Sequence, residues 1–326
     1  MCAQVRPGEG PPGAVLTWAL ARPIIAPLVS AAALPLWYVL SVAGLFGACL
    51  GSFLNVVIAR VPHGRSVVSP GSACPRCGSA IRWYDNLPVV SWLWLRARCR
   101  RCGLPISARY PVVEFLVAGV AVLVAWRHGP SLEGLLELAF AALLVALAAI
   151  DLDTWLLPNG LTWTVIGLAL AGAALGATPA GSLPSAALGA ALGFLAFGAI
   201  WAVGEWVLKK EAMGFGDVWL LAGLAGWFGP KGLLPLVLLA STQGAVFGLA
   251  QIALGRGQPG RSEQARPEAA RPPAPATRAA ADAEEDDWVP PRHSVPFGPF
   301  LVAAALEWLW AGDWLAARVG LLEIFR

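Results

Sequence analysis

Residues 132–160 read LEGLLELAFAALLVALAAIDLDTWLLPNG. From Leu138 to Ile150 no residue is charged, and then two carboxylates, Asp151 and Asp153, follow at once. An apolar run of this kind suits a helix in a bilayer, where about 20 residues cross the hydrocarbon. An ionisable group at that depth is expensive, so a membrane setting makes Asp151 a functional candidate by default.

The composition supports that setting. Of 326 residues, 57% are hydrophobic and only 13% charged, 16 are Trp, and the mean hydropathy is +0.65. Soluble domains carry about 25% charged residues. An ordinary soluble domain is therefore excluded, and the expected fold class is an all-α polytopic membrane protein. Apolar runs at 37–60, 110–127, 132–152, 159–178, 184–208, 232–254 and 295–312, with a shorter one at 217–229, predict about eight transmembrane helices.

Residues 60–109 contain Arg60, Arg65, Arg76, Arg82, Arg96, Arg98, Arg100, Arg101 and Arg109 against a single acid, Asp85. Loops so rich in arginine stay on the cytoplasmic side. Counting spans onward places the ends near 152, 159 and 208–211 on that side too, and Lys209 and Lys210 agree. The expected organisation is an N-terminal extension over 1–36, a first membrane helix over 37–61 and a small cytoplasmic zinc-binding domain over 62–109. A membrane core over 110–255, a linker over 256–292, and a last helix with its tail over 293–326 complete it. Arg22, Pro23, Pro27 and Pro35 interrupt the extension and leave its topology open. The linker is rich in Pro, Ala and mixed charge and is expected to be disordered and cytoplasmic.

Two CxxC pairs, Cys74 with Cys77 and Cys99 with Cys102, are separated by 21 residues. Each pair turns two thiolates toward one ion, and two pairs close a tetrahedral shell suited to zinc. Two disulfides would instead need an oxidising compartment, which the cytoplasmic placement opposes. A closed four-sulfur shell has no position for substrate, so the zinc is expected to be structural, stapling a domain too small for a sufficient core. Cys49 is expected to be a small helix-packing residue and Cys2 an unpaired terminal thiol.

On a helix Asp151 and Asp153 point to nearly opposite faces. Asp151 is the deeper, and Asp153 is expected to snorkel toward headgroups or to cap the next turn. A second acid, Asp217, stands in "GFGD" (214–217) at the head of the short span. There it serves either as a helix cap or as a partner for Asp151, because both lie just inside the cytoplasmic leaflet. Two carboxylates meeting in a pocket of low dielectric can share a proton, one acting as general base on water and the other polarising a carbonyl. Among the other acids, Glu114 starts a span, Glu133 and Glu137 lie at an outer end, and Glu205 is expected to pair with Lys209 along a helix. Glu307 sits with Trp308 and Trp310 in an interfacial belt.

"GFGD" resembles the signature turn of the GxGD-type intramembrane aspartic peptidases. More closely, six ordered blocks resemble bacterial type IV prepilin peptidases: "GSFLNVVIARVP" (51–62), the paired CxxC knuckles, "ISARYPVVEFL" (106–116), "IDLDTWLLPN" (150–159), "GFGDVWLLAGLAGWFG" (214–229) and "VPFGPFL" (295–301). Ala59 and Asn159 depart from the usual pattern, where an aromatic residue and an Asp are common. The resemblance implies that 110–255 is a peptidase core with Asp151 and Asp217 catalytic, and that Cys74, Cys77, Cys99 and Cys102 are the zinc ligands. It implies a multi-pass protein of the bacterial inner membrane that cleaves the basic leader of prepilins and type II secretion pseudopilins after a glycine. The new N-terminus would then be methylated with S-adenosylmethionine. Pilus or secretion machinery and membrane lipid are the implied partners, and nucleic acid is not. No Rossmann-type fingerprint marks a methyltransferase site, and the loop from Arg82 to Arg109, near Glu114, is the place expected for it.

Two other classes fit parts of the pattern. A transporter using Asp151 and Asp217 as a proton relay would favour inverted repeats, and none is visible. A non-catalytic anchor presenting the zinc module would tolerate Asn at both positions.

Overall fold

The computed structural model describes residues 34–209, 213–254 and 296–319. The extension up to residue 33, the 256–292 linker, Cys2 and Lys210 lie outside these residues. Nine α-helices are described: α1 (Leu36–Arg60), the short α2 (Val90–Trp94), α3 (Arg109–His128), α4 (Leu132–Thr154), α5 (Asn159–Ala174), α6 (Leu183–Ala202), α7 (Phe215–Phe228), α8 (Pro230–Ala253) and α9 (Gly298–Val319). Apart from α2 they follow the eight apolar runs. Among the described residues there is no strand, only two isolated antiparallel bridges, Ala73 with Ala80 and Arg98 with Pro105.

Five helices are long and apolar enough to cross a bilayer: Leu36–His63, Arg109–His128, Leu132–Thr154, Leu183–Val207 and Pro230–Ala253. α5 has 16 residues and α7 only 14. At 1.5 Å per residue α7 is about 21 Å long, short of the roughly 30 Å of hydrocarbon. From Leu220 to Phe228 every residue of α7 is buried, so protein rather than lipid surrounds it. A helix apolar on all sides is the sequence counterpart of that position.

The chain places small residues where helices meet. Gly47 and Gly51 of α1 face α3, and a Cβ on Gly47 would lie 2.5 Å from Ala121 Cβ, while one on Gly51 would lie 2.7 Å from Glu114 Cα. Rising numbers on α1 meet falling numbers on α3, so the pair is antiparallel. Gly189 and Gly193 of α6 play the same part against the Ala225 and Leu221 carbonyls of α7. Without a hydrophobic drive between helices in lipid, such close backbone approach supplies the packing energy. Cys49 lies between Gly47 and Gly51 but is exposed, not packed against a helix as expected, because it falls on the opposite face of α1.

The centre of the bundle is aromatic: Phe140 of α4 stacks on Trp227 of α7 at 4.1 Å with 10° between the ring planes. At the end of the bundle away from the arginine-rich loop, Glu137 joins three helices. It accepts from Trp310 Nε1 of α9 at 3.1 Å and lies 2.9 Å from His128 Nε2 of α3. Glu307 accepts from Gln243 of α8 at 2.7 Å. Glu205 makes no ion pair with Lys209. The backbone passes into a π-helical turn over Val203–Leu208 and Lys209 is left-handed (φ 50), which destroys the i,i+4 spacing that the expected pair needs.

Gly47→Ile should force α1 from α3 and cost on the order of 1–3 kcal/mol, read as a lower melting temperature in detergent. Gly119→Ala, where nothing lies within 4 Å of the added methyl, should melt no lower than wild type.

Candidate active site and metal centre

Six helix ends converge where α1 hands over to the arginine-rich module: the C-termini of α1 and α4 and the N-termini of α3, α5, α7 and α9. Asp151 occupies the last turn of α4 and Asp217 the first turn of α7. Both are buried, 5% and 8% exposed. The two carboxylates lie within electrostatic reach of each other. The α4 helix ends at Thr154, three residues after Asp151, and left-handed Trp155 then returns its N–H to the Asp151 carbonyl at 2.9 Å. Leu157 and Pro158 then turn the chain into α5.

A residue that spacing did not single out completes this site. Gly298, the first residue of α9, donates its backbone N–H to the Asp151 carboxylate. It has no room for a side chain, since a Cβ there would run into Asp151 Oδ2. Gly216 of the "GFGD" turn is tight in the same way, its Cβ position lying 2.6 Å from Leu157 Cβ. Leu157 thus wedges between the turns that carry the acids and Gly298. The quoted block "VPFGPFL" was the one signal for Gly298 in the sequence. One oxygen of Asp217, Oδ1, is buried with no hydrogen-bond partner among the described residues. A buried carboxylate oxygen left open beside a second acid is suited to accept from water when ionised, or to donate to a carbonyl oxygen when protonated.

Asp153 projects from the other face of α4, as expected, but its partner is protein rather than a headgroup. It forms an ion pair with Arg109 at the start of α3, and the Arg109 guanidinium also covers the Tyr110 ring at 5.6 Å. Both charges are partly exposed, so the pair is worth under about 1 kcal/mol and serves mainly to orient.

Cys74, Cys77, Cys99 and Cys102 come together, with all four sulfurs within 4.8 Å of one another. Cys74 Sγ and Cys102 Sγ are 3.7 Å apart. Metal–sulfur bonds of about 2.3 Å in a tetrahedron put sulfurs about 3.8 Å apart, so the spacing fits a four-thiolate metal site. Each knuckle is built alike: Cys74 N–H donates to Ser79 O and Gly78 N–H to Cys74 O, while Cys99 N–H donates to Leu104 O and Gly103 N–H to Cys99 O. Gly78 and Gly103 turn the chain at φ 65 and 68. Backbone hydrogen bonds from Cys77 and Arg76 pull the Cys74 thiol down to about 6. Those from Cys102 and Arg101 lower Cys99 in the same way. Cys102 also has a lowering backbone bond, from Leu104, but burial and the neighbouring thiols outweigh it and push it up to about 11.

Polar contacts order α1, α3 and the module where they meet. Asn55 Nδ2 of α1 donates to Tyr110 O at 3.0 Å. Glu114 of α3, 8% exposed, accepts the Val89 N–H at 2.7 Å. Asp85 receives Arg100 through both carboxylate oxygens, and Arg82 and Arg100 each lie 5.7 Å from the Tyr84 ring centre. The single acid of the loop is thereby committed to one arginine.

Comparison with known proteins matches the chain in two stretches. Residues 45–128 match the bacterial peptidase A24 N-terminal domain, and residues 138–249 match the type IV leader peptidase family. A prepilin leader peptidase/N-methyltransferase of Myxococcus xanthus is 44% identical over 302 residues, covering 83% of this chain and 89% of that protein. The chain belongs to the type IV leader peptidase family. Proteins of the same name from Aeromonas salmonicida and Xanthomonas campestris are 40% and 38% identical, over 67% and 63% of this chain and 83% and 79% of theirs. No solved structure matches the chain significantly. Membership agrees with the resemblance drawn from the six sequence blocks, and the matched peptidase region contains both Asp151 and Asp217.

Elemental analysis should find one divalent metal ion per chain. Cys74→Ser and Cys102→Ser should each lose it, and limited proteolysis should then cut within 65–106 while the helices of the bundle stay protected.

Proposed function

We propose that this chain is a prepilin peptidase of the bacterial inner membrane, cleaving the leaders of type IV prepilins and type II secretion pseudopilins on the cytoplasmic side. Asp151 and Asp217 are the catalytic pair. The observation that carries this reading is that both are buried at one end of the bundle, within electrostatic reach of each other, in a chain of the leader peptidase family. Eight membrane-embedded helices form the frame, α5 and α7 being short and α7 enclosed by the others. A structural zinc held by Cys74, Cys77, Cys99 and Cys102 staples the cytoplasmic module over 62–109.

The pair works by dividing labour over one proton. The ionised carboxylate takes a proton from water, whose oxygen attacks the scissile carbonyl carbon. The protonated carboxyl donates a hydrogen bond to the carbonyl oxygen as charge builds there. Collapse breaks the C–N bond, and the departing amine takes up a proton from the pair. The Gly298 backbone, packed against the Asp151 carboxylate, orients it. The new N-terminus is then methylated, S-adenosylmethionine supplying a methyl group bound to positively charged sulfur. The basic leader faces an acidic pair, while pilus or secretion machinery takes up the mature product.

Asp151→Asn and Asp217→Asn in purified, zinc-loaded protein should each lower cleavage of a model prepilin by on the order of 10²–10⁴-fold or more, with melting temperature retained. Full cleavage by either folded variant would refute the catalytic pair. Gly298→Ala should also lose most cleavage, because the methyl group displaces the Asp151 carboxylate.

A further inference from the structure

An exposed side of α3 carries a crevice of about 630 Å³ that peptide cleavage does not use. All of its lining residues are apolar. Val112, Phe115 and Leu116 form its α3 wall and are exposed, Phe115 at 73%. Gly119 widens it, with nothing within 4 Å of its Cβ position. From Val112 to Leu123 the wall runs along roughly 16 Å of helix, close to the depth of one leaflet in a bilayer whose hydrocarbon is about 30 Å thick. Trp310 of α9 lines the deep end, where it packs with the cluster around Val120.

The mouth of the crevice is built by the cysteine module, through Val89 and Trp92. Two bonds hold them there: Glu114 of α3 accepts the Val89 N–H at 2.7 Å, and Trp92 donates from Nε1 to Ile106 O at 3.2 Å, three residues ahead of α3. α2 therefore lies beside the membrane end of α3, and its Val90, Leu93 and Trp94 remain exposed. Such side chains suit the headgroup boundary, where tryptophan is enriched and apolar helix faces are buried. Arg96 and Arg98 come next in the chain. Ala97 between them accepts the Ile106 N–H at 2.7 Å, and Arg98 bridges to Pro105, so both stand just ahead of α3. Both are exposed, and among the described residues neither is in an ion pair, since Asp85 is taken by Arg100 and Asp153 by Arg109. Trp92 also lines a separate cavity of about 870 Å³ between the module and the bundle, where Asn55 Oδ1 is buried with no partner among the described residues.

We infer that the crevice between α2 and α3 holds an anionic phospholipid of the leaflet that borders the module, its acyl chain along α3 and its phosphate paired with Arg96 and Arg98. The apolar lining offers nothing to a polar ligand, while two unpaired guanidinium groups by the mouth call for a phosphate. A zwitterionic headgroup would set its cation against them. A peptide helix about 10 Å across would fill roughly 1,250 Å³ over the same length, about twice the crevice, so the space suits acyl chains. The bound lipid anchors the module to the bilayer at α2. This needs the membrane setting of the bundle but not the chemistry of the two aspartates.

The test is native mass spectrometry of full-length, zinc-loaded protein, stripped of lipid in detergent and then given phosphatidylglycerol or phosphatidylcholine in equal amount. Wild type should retain one phosphatidylglycerol per chain, about tenfold or more in preference to phosphatidylcholine. Two variants address the two halves of the site: Arg96→Gln with Arg98→Gln removes the charge, and Gly119→Phe fills the crevice where the structure has open space. With zinc content and melting temperature retained, the first should lose the preference and the second the bound lipid. No preference in wild type, or wild-type retention by either folded variant, overturns the inference. One equivalent of phosphatidylglycerol carrying a diazirine in its acyl chain, photolysed on wild type, gives a reading independent of variant folding: adducts within 89–94 or 112–123 support the site, and adducts only elsewhere overturn it. Displacement of the lipid by a model prepilin whose apolar segment cross-links to the same residues makes the crevice a substrate groove and overturns the lipid assignment.

Discussion

Two carboxylates buried among apolar helices are the most expensive feature of this molecule, and the rest of the bundle is arranged around holding them. Neither can be left to lipid, so each sits at a helix end where chain turns and backbone N–H groups lie close. Asp151 receives the Gly298 N–H from the start of α9. Asp217 begins α7, a helix too short to span and therefore enclosed by others. Leu157 between Gly216 and Gly298 leaves no slack in this arrangement. The two acids are thus set by three chain segments, α4 with its turn, the glycine turn before α7, and the head of α9.

Enclosing a polar helix end in this way requires backbones to come close, and glycine is the means. Gly189 and Gly193 let α6 lie directly on α7, while Gly47 and Gly51 let α1 lie on α3. The two contacts serve different ends. The first seals the helix that carries Asp217, and the second makes a firm base for the cysteine module. Stacking of Phe140 on Trp227 joins α4 to α7 deeper in the bundle, so both acid-bearing helices share one core.

Glu114 with Val89 ties the module to α3, Asn55 with Tyr110 ties α1 to α3, and Arg109 with Asp153 ties α3 to α4. They leave a cavity between the metal-binding knuckles and the helix ends. A four-thiolate metal in the knuckles would stiffen the wall of that cavity without entering it.

Helix positions, the CxxC pairs and the two candidate acids were legible because they rest on local properties: length of an apolar run, ligand spacing, and the cost of a charge in lipid. Asp151 could be separated from Asp153 by helical periodicity alone, and the structure buries the first and exposes the second. What lay beyond sequence reasoning depends on which distant segments meet. The Gly298 N–H on Asp151 joins residues 147 positions apart, and the choice of Arg109 as partner for Asp153, the open Asn55 acceptor and the Glu137 cluster are of the same kind. Local rules also failed where the backbone left the regular helix, as at Glu205 and Lys209, and where a side chain's face was set by its neighbours, as at Cys49. The sequence by itself determined a helical membrane protein with a cysteine module and two acids at helix ends, since those follow from composition and period. Only the tertiary structure decided that both acids are buried within electrostatic reach of each other, that a glycine from the last helix packs on one of them, and that a mixed polar cavity forms between the module and the bundle, because these depend on packing between segments far apart in the chain.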